Sequence, residues 1–237
     1  KLKAEVQHAA HQRSGASLRD RVFANVHLLS AVGSALAPVS NWATSLPGSG
    51  WLAEKTLGVA SERDLPEFRR ETFGDWFDAR GSRVSEREAT RKALVFADTY
   101  NDHTTPEVAK AAVEVLEAAG VHVDVPDTGP SGRAAHSMGF LDVARERAGR
   151  VVADLVPLVQ DGWDVVVVEP SDAVMLQKDY LDLLSGPEVE TLSEYSYGVC
   201  EYLDRHGLDA EIEWSSPTES LTYHGHCHQK ATKKDHH

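Results

Sequence analysis

Asp164-Val165-Val166-Val167-Val168 is an unbroken β-branched run, followed at once by Glu169-Pro170-Ser171-Asp172. A strand with one wet face alternates apolar and polar residues, whereas one that is apolar throughout is buried on both faces, as in the middle of a parallel sheet. Working outward, Ala93-Leu94-Val95-Phe96-Ala97 is a second compact apolar run and ends in Asp98-Thr99. Pro106 then opens a helix whose apolar positions Val108, Ala111, Ala112, Val115 and Leu116 keep helical spacing, and Gly120 stops it. Val121-His122-Val123-Asp124-Val125 alternates as another strand, and a Gly-rich turn from Thr128 to Gly132 leads into helix up to about Gln160. Helices are expected from Glu169 to about His206, and Ser220-Leu221-Thr222-Tyr223 as a last strand. Repeated strand–helix–strand units predict an α/β fold, a parallel sheet with helices on both faces.

The expected strands end in Asp98-Thr99, Asp127-Thr128-Gly129, Glu169–Asp172 and His224-Gly225-His226-Cys227-His228. The carboxyl ends of parallel strands share one edge of the sheet, where ligands bind in such folds. The polar loops are therefore expected to converge on one crevice.

Residues 1–85 read differently, as a helical connecting or docking segment ahead of an α/β domain over 92–237. Ser17-Leu18-Arg19-Asp20 has capping-box spacing before an apolar run from Val22 to Ala37 that Pro38 closes. Trp42, Trp51, Phe68, Phe73, Trp76 and Phe77 follow in short pieces broken by Pro and Gly, a pattern of core or docking surface rather than catalysis. Gly81 to Arg91 is charged, lacks apolar periodicity, and is expected to be a linker.

Composition sets limits. Lys and Arg number 24 against 37 Asp and Glu, a formal net charge of -13, which opposes nucleic acid and anionic membrane as direct partners. Acidity of this kind resembles proteins of salt-loving organisms, where salt screens self-repulsion. No apolar run reaches membrane-spanning length. Two cysteines make no disulfide framework, so a reducing cytoplasm is the expectation, with Cys200 a small buried hydrophobe on a helix. The chain begins without Met and stops in a polar stretch, so it is expected to be cut from something longer.

His224, His226, Cys227 and His228 put four potential metal ligands in five residues, and imidazole and thiolate suit zinc or iron. In an extended strand the three histidines share a face and Cys227 points away, so partners such as Asp172 are needed from other loops. The plainer reading is capping and hydrogen-bonding histidines. Thr128–Arg133 offers backbone N–H groups and Arg133 to an anion, but matches neither the dinucleotide fingerprint nor the P-loop. A triad with Ser131 lacks a nucleophile elbow.

Taken together, Phe96–Asn101 with Pro106, Gly132-Arg133 with Ser137–Asp142, Glu169–Ser171 with Asp179-Tyr180, and Tyr223–Lys230 resemble a known family. It is the cysteine-rich CCG domain, a Rossmann-like unit of FAD-linked D-lactate dehydrogenases, glycolate oxidase iron–sulfur subunits and heterodisulfide reductases. Lys3–Glu5, Leu18–Arg21, Asn41-Trp42 and Leu65-Pro66 resemble the stretch that precedes this unit in fused oxidases. The resemblance implies iron–sulfur ligands at four loop positions, but these read Thr99, Ser131 (in Pro130-Ser131-Gly132), Asp172 and Cys227. One thiolate does not hold a cluster that needs about four, so none is expected on this half alone, and the second unit of the family is expected to be truncated.

The resemblance implies an electron-transfer or cofactor-supporting domain of an FAD-linked 2-hydroxyacid dehydrogenase of D-lactate or glycolate type. Its FAD and iron–sulfur groups would sit in flavin and ferredoxin partner modules, membrane association would come through partners only, and the isolated chain would be inactive. The alternative is a degenerate scaffold that docks redox subunits. Zinc or mononuclear iron at Cys227, a histidine and Asp172 is a further possibility for the site.

Overall fold

The computed structural model describes residues 2–215, 220 and 222–232. At its centre lie four parallel strands: β1 (Arg91–Phe96), β2 (Val121–Asp124), β3 (Asp164–Val167) and β4 (Ser196–Gly198), in the spatial order β2-β1-β3-β4. The fold is α/β, as the apolar runs require. Side chains alternate across a strand, so Leu94, Phe96, Val165 and Val167 feed one core while Ala93, Val95 and Val166 feed another on the opposite face.

The helices of residues 1–85 are α1 (Leu2–Ser14), α2 (Leu18–Ala24), α3 (Val26–Ala35), α4 (Val39–Ser45), α5 (Ser49–Leu57) and α6 (Phe73–Arg80). After β1 come α7 (Thr99–His103) and α8 (Pro106–Ala118), and after β2 come α9 (Arg133–Ser137) and α10 (Leu141–Gln160). After β3, α11 (Pro170–Val174) runs through a π-helical turn, Met175–Asp179, into α12 (Tyr180–Leu183) and then α13 (Pro187–Glu194). Finally α14 (Val199–His206) follows β4, and α15 (Cys227–Thr232) ends the described chain. Helices α10 and α13 cover one face of the sheet, and α6, α8 and α14 the other.

Two expectations are corrected. The fourth strand is Ser196–Gly198, not 220–223; residues 220, 222 and 223 are irregular, and Leu221 lies outside the described residues. Tyr195-Ser196-Tyr197-Gly198 carries no strand pattern of its own. It becomes a strand because β3 offers a free edge, to which Val165↔Ser196 and Val167↔Gly198 are registered. Cys200 is exposed rather than buried, since α14 turns Tyr202 and Leu203 into the core instead.

The stretch between α6 and β1 has no regular element, yet it is sewn to the sheet. Ser82 Oγ accepts from the Val123 N–H at 3.1 Å, and the Arg83 N–H donates to Glu117 at 2.7 Å. The helical segment also seats directly on the α/β body. Gly139 has φ +78°, and a Cβ there would come within 2.5 Å of Gln7 Cβ, so this close approach of α1 requires glycine.

Candidate functional site

The chain order of the sheet reverses between β1 and β3, which opens a crevice at their carboxyl ends. A cavity of about 450 Å³ fills it. Each loop enters through a helix start, where free N–H groups need acceptors. Asp98 caps α7, accepting from the N–H groups of Tyr100 (3.0 Å) and Asn101 (3.1 Å). Glu169 caps α11, accepting from the Ser171 N–H at 3.1 Å. Capping thus aims two carboxylates at the crevice from the strands that flank the reversal.

The third loop arrives through Ser131 and Gly132. Gly132 has φ +87°, and a Cβ would lie 3.1 Å from the Ala144 carbonyl oxygen, so only glycine lets this turn lie against α10. Ser131 Oγ donates to Asp172 and accepts from the Arg133 N–H at 3.1 Å. The Ser131 carbonyl accepts from the buried Tyr180 hydroxyl at 2.7 Å. Arg133 is held by Asp179 at 2.6 Å. Removing only the Tyr180 hydroxyl leaves the Ser131 carbonyl unpaired, a loss of about 1–3 kcal/mol. Tyr180→Phe should therefore lower the urea midpoint, and an unchanged midpoint would show that water replaces the hydroxyl.

Thr99, Ser131 and Asp172 all line the cavity, so three of the loop positions expected to converge do so. His228 lines it too, and His226 Nε2 lies 3.3 Å from Ser171 Oγ. The two imidazoles meet edge to face with centroids 5.3 Å apart. His224 and Cys227 are exposed. The expected one-faced strand of histidines is absent, because residues 222–226 are irregular and α15 begins at Cys227. Among the described residues, no three of His, Cys, Asp and Glu group so as to hold a metal ion.

A carboxyl held out of water beside other carboxylates ionises less readily. Asp172, 6% exposed, is pushed up from 3.8 to about 7, first by burial and then by Asp98 and Glu169, against the Ser131 hydrogen bond and Arg133. Burial also raises Asp98, opposed by its hydrogen bonds from Asn101. Burial, Arg133 and His226 hold the His228 imidazole below its ordinary value. A carboxyl that titrates near neutrality in a cleft suits proton donation and acceptance. The Ser131 hydroxyl proton is engaged by the Asp172 carboxyl and not by a histidine base, so the pair is not the serine–histidine arrangement of a hydrolase triad.

Residues from the helical segment close the crevice, which sequence reasoning missed. Arg19, Phe23, Val26 and His27 of α2 and α3 line the cavity. Arg147 of α10 ties them down, donating to the Ala24 carbonyl at 2.9 Å and to Asn25 Oδ1 at 2.6 Å. The Ser17–Asp20 cap marked where α2 starts, but no local pattern marked what that helix covers.

The donor set does not fit an iron–sulfur cluster. Thr99, Ser131 and Asp172 offer oxygen, Ser131 and Asp172 are bonded to each other, and Cys227 faces solvent. Fold and crevice define an α/β protein with a switch-point site. No family model matches the chain, and no solved structure matches it. It is 26% identical, over 181 residues, to an anaerobic glycerol-3-phosphate dehydrogenase subunit of Escherichia coli K12, and equally to its counterpart in E. coli O157:H7. The similarity covers 75% of this chain but 45% of those relatives, so the chain spans less than half their length. No helix among the described residues is long and apolar enough to cross a membrane.

Proposed function

We propose that this chain is an electron-transfer or cofactor-supporting domain of a flavin-linked dehydrogenase complex. The observation that carries the reading is the meeting of Thr99, Ser131, Asp172 and His228 around one switch-point cavity. These are the loops on which the sequence resembles the CCG domain, and similarity to a glycerol-3-phosphate dehydrogenase subunit supports the same class. The finer reading is a 2-hydroxyacid dehydrogenase of D-lactate or glycolate type, with glycerol 3-phosphate the competing substrate. Flavin and ferredoxin modules of the parent would do the redox chemistry, and this domain would support them in the cytoplasm.

On this reading the isolated chain turns over none of the three substrates, and tagged chain retrieved from its own cells carries a flavoprotein with it. Turnover by the chain alone, or retrieval without flavin, would overturn the proposal. The rival reading, a scaffold without metal, is favoured by the Ser131–Asp172 hydrogen bond, which occupies two ligand positions. Metal analysis after anaerobic purification separates the two. Stoichiometric zinc or iron that is lost in Cys227→Ala points to a working centre, and metal-free protein points to the scaffold.

A further inference from the structure

Helix α3 is inside out. A surface helix ordinarily buries its apolar stripe, yet α3 buries Ser30, Gly33 and Ser34. These small residues allow close packing: a Cβ on Gly33 would overlap the Phe68 ring at 2.5 Å, and Ser34 Oγ lies 3.1 Å from His103 Nδ1. The opposite side presents Leu28, Leu29, Val32 and Leu36 to solvent, each at least half exposed. Val39 and Trp42 of α4 and Trp51 and Leu52 of α5 are exposed as well.

Charge avoids the same region. In a chain with 26% charged residues, no Asp, Glu, Lys or Arg occurs between Arg21 and Glu54. Four hydroxyls there fold back on the main chain: Ser40 donates to the Gly33 carbonyl, Thr44 to Asn41, Ser45 to Trp42 and Ser49 to Thr44. Their donors are satisfied within the chain, which leaves few free donors for a foreign partner to read.

We propose that the occupant of this face is a second copy of the chain, joined across a two-fold axis. Two copies, each with a formal net charge of -13, repel wherever charged surfaces meet, so an uncharged face is where they approach at least Coulombic cost. The exposed side chains of α3–α5 offer on the order of 700 Å² of surface, near the ~800 Å² that each partner of a standard interface buries. Transient redox contacts are smaller, whereas homodimer interfaces are the more apolar kind. Leu28, Val32 and Leu36, four residues apart, form a stripe that packs against its own copy with Val32 at the centre.

Light scattering during gel filtration of the full chain tests this, with salt raised from ~0.1 to ~1 M so that the Debye length falls from about 10 to about 3 Å. The expected result is twice the chain mass, with the dimer fraction rising with salt because repulsion is screened and an apolar contact is not. Leu29→Glu with Val32→Glu should halve the mass without changing far-ultraviolet circular dichroism. Leu181→Glu, at an exposed leucine on α12, should leave the dimer intact. A chain that stays monomeric in high salt overturns the proposal. So does a dimer indifferent to the α3 substitutions, or a monomer that cosediments with phosphatidylcholine vesicles through this face.

Discussion

Replacing Asp172 with asparagine is expected to stabilise the protein at pH 8 while leaving it nearly unchanged at pH 4. The carboxyl titrates at about 7 in the folded chain and at 3.8 when ordinarily solvated. Between those values the folded state keeps a proton that the unfolded state has lost, so this group makes stability fall as pH rises from about 4 to about 7. Above 7 both states are ionised and the loss is constant, about 4 kcal/mol in full. Asparagine keeps an acceptor for Ser131 Oγ and cannot ionise, so the gap between variant and parent should open across that window. Asp98, Glu169 and Arg133 act on the same carboxyl, and Asp98 titrates high as well, so the comparison must be between variant and parent at each pH. Urea denaturation at several pH values measures it. Equal stabilities at pH 8 would mean that Asp172 is hydrated and not poised near neutrality. A stabilised variant that has lost its function in the parent complex would mark a group kept at a cost to stability.

The second large effect is expected at Glu117. Arg80 of α6 and Glu117 of α8 form a two-pronged ion pair, one arm 3.0 Å long, with side chains only 12% and 6% exposed. Glu117 also accepts from the Arg83 N–H, so it fastens both the helical segment and the stretch after it to α8. Glu117→Ala strands the guanidinium over the Trp76 ring, whose centroid is 4.7 Å away. Breaking such a pair costs about 3–5 kcal/mol, whereas replacing both partners with apolar residues of similar size is far milder. The double variant Arg80→Met with Glu117→Leu should thus be more stable than Glu117→Ala alone. If the two denature alike, the pair is hydrated and does not hold the segment.

These two positions show how differently fold and site were legible. The β-branched run of β3 and the apolar run of β1 specified buried strands, because continuous apolarity suits little else of that length, while alternation marked β2 as a strand with one wetter face. The loops of Thr99 and Asp172 could be placed on one edge because parallel topology puts every strand's carboxyl end there. Ser131 was singled out by the family resemblance instead, and Asp127–Gly129, the expected part of its loop, do not line the cavity. The last polar loop was harder. His226 and His228 reach the crevice through an irregular stretch and the first turn of α15, a course that alternation does not encode.

By itself the sequence determined the α/β class, the parallel sheet, the capped start of α2 and the convergence of the Thr99 and Asp172 loops, since each follows from local periodicity, caps and strand direction. Tertiary structure alone decided that Ser196–Gly198 is the fourth strand, because strand identity there comes from the free edge of β3. It alone decided that α2 and α3 close the crevice, and that Asp172 titrates near neutrality. Burial, and the nearness of Asp98 and Glu169, are sums over residues far apart in the chain. No window of sequence contains them.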